Sequence, residues 1–230
     1  MFPLLTRKTP GAFTLVEMLI VISLIAVLVA MLLPAVKRAK SLAIDVYCAN
    51  NLRQITIGLN SYLPEENHTI FWRGDQTWVG DPLVAGMDWY IYGGRETGNH
   101  GGLQGGLFNA LSPRPLNPYI NQIDTFHCPY DSRAWDWAGF ETHFELVGNS
   151  YVFNTYGWPF GPVWGGLAGV RSTDIPRPSR TILFLDTSLV KSPGSWHHDF
   201  KGNVAFCDGH VAFMELPSPF GTRGFTWAPD

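Results

Sequence analysis

Hydrophobic positions run unbroken in one place. From Phe13 to Leu33 the chain reads FTLVEMLIVISLIAVLVAMLL, 21 residues with a single charge, Glu17. At 1.5 Å rise per residue, a helix of that length covers about 31 Å, the thickness of a bilayer's hydrocarbon core. Beyond Pro34 the pattern takes a helical period. Val36, Ala39, Ala43, Val46, Leu52, Ile55, Leu59 and Tyr62 fall mostly three or four apart, with Lys37, Arg38, Lys40, Asp45 and Arg53 between them. This predicts one helix from about residue 13 to 62, kinked near Pro34, with an apolar inner half and an amphipathic outer half. A proline is tolerated in a membrane helix where neighbours satisfy the carbonyl it frees, and Gly58 weakens the outer half slightly.

After Tyr62 the texture changes. Residues 63–230 hold all nine tryptophans, 22 of the 24 glycines and 14 of the 17 prolines. Short apolar stretches separated by turn signals predict small antiparallel sheets with long connections. The clearest element is Asn203–Met214, a hairpin on a two-residue Asp208-Gly209 turn. That turn sets Phe206 opposite Val211 and Val204 opposite Phe213, all four on one face. Thr181–Asp186 reads as a neighbouring buried strand ending in an acid. The glycine-rich stretch 93–106 has no GK[ST] and no strand–helix context, so it is not read as a phosphate cradle. No internal repeat is visible.

Composition narrows the classes. A chain of 230 residues makes one or two domains, and 14% aromatic residues argue against disorder. A net charge of −3 argues against a nucleic-acid binder. Three cysteines are too few for a disulfide scaffold, and no two have C-x-x-C spacing. The apolar run is too long for a cleaved secretory signal and is followed by Pro34 and Lys37-Arg38-Ala39-Lys40, so the span is read as retained. Arg7 and Lys8 precede it, but three basic residues follow it, so charge alone favours the opposite orientation to the one adopted below. Glu17 has two readings. A charge inside a span costs about 2–3 kcal/mol or more, which favours a paired, functional group; near the end of the span it can also snorkel to the headgroups.

Ala12-Phe13-Thr14-Leu15-Val16-Glu17, with a basic leader before it and an apolar helix after it, resembles the prepilin processing signal of type IV pilins and type II secretion pseudopilins. A cut between Ala12 and Phe13 makes Glu17 the fifth mature residue and Pro34 the twenty-second, both as in the family pattern. The residue before the cut departs from the usual glycine. The resemblance implies cleavage by a prepilin peptidase/methyltransferase, N-methylation of Phe13, and assembly in which Glu17 pairs with a neighbouring subunit's N-terminus. It also implies a cytoplasmic leader and therefore a head on the periplasmic side of the inner membrane. Low dielectric makes such a pair strong when its geometry is good, so it favours register as much as stability.

His198, ten residues before Asp208-Gly209, makes H-x9-D-G, which resembles the C-terminal motif of a large group of prepilin-type proteins. Cys48-Ala-Asn-Asn-Leu-Arg-Gln, Phe126-His-Cys-Pro-Tyr-Asp131, Ser150-Tyr-Val-Phe-Asn154 and the strand ending at Asp186 resemble further motifs of that group, in order along the chain. The resemblance implies a pilin-like α+β fold, with the long N-terminal helix packed on a head of small antiparallel sheet. The segments are a leader at 1–12, a helix at 13–62 with its transmembrane or filament-core part at 13–33, and a head at 63–230.

The head's polar residues carry competing readings. His197, His198, Asp208, His210 and Asp186 have the chemistry of divalent-metal ligands. Against that, Asp208 suits the turn, His198 can fix a loop by hydrogen bonding, and the spacing fits no zinc signature. No metal or other cofactor is assigned. Cys48 and Cys128, outside the cytoplasm in this topology, could form a disulfide stapling head to stem, or stay buried thiols, and Cys207 is left over. The tryptophans with Tyr90, Tyr92 and Tyr119 suit a core better than a sugar-stacking surface, with Phe220, Phe225 and Trp227 as exposed candidates. No G-x-S-x-G, H-E-x-x-H or carboxylate pair marks a catalytic site, so the chain is read as not an enzyme.

The function read from this is a pilin-like or pseudopilin subunit of a type II secretion or type IV pilus-like filament. Its expected partners are the prepilin peptidase, other pilin-like subunits, the assembly platform and membrane lipid, with no nucleic acid. The alternative is an envelope-anchored binding module, with a glycan- or protein-gripping head, that is not a filament subunit.

Overall fold

The computed structural model describes residues 14–71, 92–96, 114–131, 142–154, 166–167, 169–186 and 201–215. The chain divides into two compact units, Met1–Ala43 and Ile44–Asp230. Helix α1, Leu15–Tyr62, runs through both and contains Pro34. The pilin-like α+β class is as expected.

From Leu15 to Leu33, in the first unit, α1 is apolar on every side but for Glu17 and Ser23, and its large apolar side chains there are all roughly half exposed or more. A helix apolar all round suits a membrane or another helix better than water. It is long and apolar enough to cross a bilayer.

In the second unit, α1 buries Cys48, Asn51, Leu52, Ile55, Thr56 and Leu59. These positions make one stripe at i, i+3, i+4 and i+7. Val46, expected on that stripe, is instead exposed. Two residues along a helix turn a side chain through about 200°, so with Cys48 inward Val46 faces out. Gly58 has a packing reason: a Cβ there would lie 2.6 Å from Ile120 Cγ1. The Ile120 side chain occupies the space that any larger residue would need.

The sheet is antiparallel throughout, in the order β1 (Tyr151–Phe153), β2 (Ile182–Asp186), β3 (Lys201–Phe206), β4 (Val211–Glu215). β1 and β2 are buried at every position, which is why β2 reads as an unbroken apolar run rather than an alternating one. A five-residue helix, α2 (His143–Val147), precedes β1; its capping box pairs Thr142 with Glu145. Phe71, Tyr92, Phe126, Phe153 and Phe184 form an aromatic core. Phe71 stacks on Tyr92 at 5.7 Å, and Phe71–Phe153 and Tyr92–Phe184 each lie 4.7 Å apart between ring centroids.

The β3–β4 hairpin forms where expected, but its register differs by one residue. Ala205 pairs with Val211, Val204 with Ala212 and Asn203 with Phe213. The connection has three residues, Cys207-Asp208-Gly209. Gly209 donates to Phe206 O at 2.9 Å, and Phe206 donates to His210 O at 3.0 Å. Gly209 sits at φ +92°, the left-handed position that closes a three-residue loop. One extra loop residue flips every side chain of β4 relative to β3. Phe206 therefore meets His210, its ring stacked on the imidazole at 4.2 Å and 7°.

Candidate functional site

Two places carry chemistry: the N-terminal turn of α1 in the first unit and a buried polar seam in the second. At the first, Thr14 and Glu17 form a reciprocal cap. Glu17 Oε2 accepts the Thr14 backbone N–H at 2.9 Å and its hydroxyl at 2.7 Å, and Thr14 Oγ1 lies 3.3 Å from the Glu17 backbone N–H. The spacing T-x-x-E is that of a capping box, whose carboxylate also favours the positive end of the helix dipole. Sequence reasoning named Glu17 but not its local partner, although the T-x-x-E spacing was there to see. Pro34 lies inside α1. Ala12 and Phe13 lie outside the described residues.

The seam gathers the motif segments of the second unit. Asn51, on α1, donates to His127 O at 3.0 Å and to Tyr151 Oη at 3.1 Å. Cys48, one turn earlier on the same face, brings its Sγ to 2.9 Å from Cys128 Sγ, both fully buried. Asp186, at the end of β2, accepts from Asn203, whose amide also donates to Asp45 O on α1 at 3.2 Å. Asp131 accepts the backbone N–H groups of His143 and Phe144 at 2.9 and 2.8 Å, and the Ser150 hydroxyl at 2.6 Å. Asn154 donates to Ile182 O at 2.8 Å, tying β1 to β2. Asn51, Asp131, Ser150, Asn154 and Asp186 thus bind backbone and one another inside the core, where buried polar groups need partners.

Burial sets the electrostatics here. It pushes the Cys128 thiol up, with Cys48 adding to the effect. It raises the Tyr151 hydroxyl as well, and lifts the Asp131 carboxyl despite the hydrogen bonds from Ser150, His143 and Phe144 that oppose it. The third cysteine, Cys207, lies in the hairpin loop, its thiol pushed up to about 12 by burial and by Asp208.

The metal-ligand set considered from sequence is not brought together among the described residues. Asp208 pairs with His210 across the turn, Oδ1 to Nδ1 at 2.6 Å. Asp186 lies at the other end of the strand pair, against Asn203. His197 and His198 lie outside the described residues, so the H-x9-D-G pattern is represented by Asp208 and Gly209 alone. The group that does converge is Cys48, Cys128 and Asp186, whose ligand atoms all lie within 4.8 Å of one another. Sequence spacing had no means of finding it, because the three come from a helix, a loop and a strand.

Of the aromatic candidates, Tyr92 is fully buried in the core. Tyr119 is half-buried, packed edge-on against Tyr62 at 5.9 Å, and donates its hydroxyl to Glu65. That bond, with burial and the neighbouring carboxylates, pushes the Tyr119 hydroxyl up to about 12. All nine tryptophans, Tyr90, Phe220 and Phe225 lie outside the described residues.

Residues 7–33 match the family model described as the prokaryotic N-terminal methylation motif. No curated protein and no solved structure matches the chain. The matched stretch runs from Arg7 through the Ala12–Phe13 junction and Glu17 to the end of the apolar run at Leu33.

Proposed function

We propose that this chain, a prepilin-type protein by its N-terminal methylation motif, is a pilin-like or pseudopilin subunit of a type II secretion or type IV pilus-like filament. A prepilin peptidase cuts between Ala12 and Phe13 and methylates the new N-terminus. The subunit waits in the inner membrane on the apolar half of α1, with residues 63–230 on the periplasmic side. An assembly platform then packs it with other pilin-like subunits, apolar helix against apolar helix.

The observation that carries this reading is the motif match over residues 7–33 together with Glu17 in the first turn of an exposed, all-round apolar helix. Such a helix gains from burial in lipid or against copies of itself. The methylated amine of Phe13 keeps its positive charge, and Glu17 is the acid on that helix nearest the membrane edge. Register between subunits is the natural use of a charge pair in low dielectric.

The test is the mass and N-terminal sequence of the chain recovered from membranes of hosts with and without a prepilin peptidase. A start at N-methyl-Phe13 in the first host alone is expected. A full-length chain in both would make the protein a signal-anchored one and remove it from the filament pathway.

A further inference from the structure

We propose that Cys48 and Cys128 are joined by a disulfide in the mature protein, covalently fastening the outer part of α1 to the loop that follows Phe126. The proposal rests on the reading above in one respect, the oxidising periplasmic location of the head.

Three observations point to the bond. The sulfurs lie 2.9 Å apart. Non-bonded carbon atoms settle at about 3.5–4.0 Å, and sulfur is the larger atom, so two thiols held this close are crowded unless they react. Two sulfurs on one tetrahedral zinc, each about 2.3 Å from the metal, stand roughly 3.7 Å apart, which is wider than this pair. Both side chains are wholly out of solvent and fixed by flanking contacts on each strand of chain. Asn51, one turn from Cys48, donates to the carbonyl of His127, the residue before Cys128. That hydrogen bond holds the two backbones in register whatever the state of the sulfurs. Cys207 sits in the hairpin loop, where its N–H donates to Thr181 O, and its sulfur is not part of the group in which Cys48, Cys128 and Asp186 converge.

The chemistry is a two-electron oxidation. Two S–H bonds are lost and one S–S bond forms. The two electrons and two protons pass to a disulfide-bearing oxidant of the thiol–disulfide exchange class, whose own S–S bond becomes two thiols. Attack requires a thiolate. Burial of both sulfurs, and the raised Cys128 thiol, oppose that once the head has closed. The bond therefore forms during folding, while the Cys128 loop is still open, and is afterwards shielded from reductants.

The experiment has two arms. In the first, purified full-length chain is reduced, denatured and refolded in detergent with oxidised glutathione, then alkylated under denaturing conditions and mapped by mass without reduction. The expected result is one linked peptide pair carrying Cys48 and Cys128, lighter by two hydrogens than its parts, with Cys207 alkylated. An even mixture of the three pairings, or alkylation of both cysteines, overturns the proposal. So does protection of the thiols that disappears with a chelator, which would make the group with Asp186 a metal site. In the second arm the chain is taken from the envelope of an expressing host, with protease accessibility of the head measured in spheroplasts. An accessible head with both cysteines alkylated overturns the disulfide and leaves the pilin reading intact. A protected head overturns the periplasmic assignment, and the refolding arm still decides the bond.

Discussion

Asp186 receives both donors of Asn203: its Oδ2 accepts the backbone N–H at 2.6 Å and the side-chain amide at 3.1 Å, with both residues buried. The same amide reaches Asp45 O at 3.2 Å, so one side chain ties strand β2 and helix α1 to strand β3. Hydrogen bonds to a carboxylate contribute about 1.5–3 kcal/mol each, and a buried acceptor left unmet costs more than the bond's average worth. Asn203→Ala is expected to destabilise the head by about 2–3 kcal/mol, read as a lower urea midpoint. Asn203→Asp sets a second carboxyl against Asp186 and should cost more. Equal midpoints for the three chains would mean the seam carries no such weight.

Gly94 and Gly209, two of the four glycines with positive φ among the described residues, separate strain from crowding. At Gly209, φ is +92°, and an added Cβ would meet only Thr56 Cγ2 at 3.9 Å. Gly209→Ala should therefore cost about 1–2 kcal/mol, the left-handed penalty alone. At Gly94, φ is +104°, and an added Cβ would lie 2.0 Å from the carbonyl oxygen of Gly148. Neither backbone can yield cheaply, so Gly94→Ala should prevent folding or lower the thermal midpoint far more than Gly209→Ala. Thermal unfolding of both variants by circular dichroism compares them.

Those two positions also show what the sequence could and could not convey. The Asp208-Gly209 pair announced a hairpin, but it fits both a two-residue turn and the last two places of a three-residue one. Gly209 has a positive φ in either; what distinguishes them is that Asp208 does not share it, as a type I′ turn would require, and that Phe206 N–H bonds His210 O. Helix α1 was legible because its signal is local and long, and β2 because five buried residues in a row leave little choice. The seam was legible in pieces and invisible as a whole. Cys48, Asn51, Cys128, Tyr151 and Asp186 meet through contacts between segments far apart in the chain, and no periodicity encodes which segment lies across from which.

Asp131 makes the head's stability respond to pH in a defined direction. Its carboxyl is raised above 3.8 in the folded protein, burial outweighing the hydrogen bonds from Ser150, His143 and Phe144. A carboxyl that holds its proton more tightly when folded adds stability fully present below its unfolded value, and lost as pH rises through the folded value. Relative to Asp131→Asn, which cannot titrate, the native chain should gain stability as pH falls from about 7 towards 4. Denaturant titrations of both chains across that range give the difference. A relative loss over the same interval would mean that the three donors outweigh burial.

Glu17 caps its own helix through Thr14, and in the proposed filament it pairs with a neighbouring subunit's N-terminus; substitution can separate the two. As a cap it needs an acceptor near Thr14, which glutamine also supplies. As a pairing group it needs a negative charge. Glu17→Gln should therefore leave helix content and membrane insertion unchanged while filament assembly falls. Breaking a buried ion pair by removing one partner costs about 3–5 kcal/mol, and each 1.4 kcal/mol is tenfold, so subunit association should weaken by more than about a hundredfold. Thr14→Val, which keeps the charge and loses the hydroxyl that bonds Glu17 at 2.7 Å, should cost only the cap, about 1 kcal/mol, and still assemble. Quantitative recovery of sheared filaments from the two variants decides between the roles. If Glu17→Gln assembles as well as the native chain and Thr14→Val does not, the carboxylate serves its own helix, and the register of the filament has to come from the apolar faces alone.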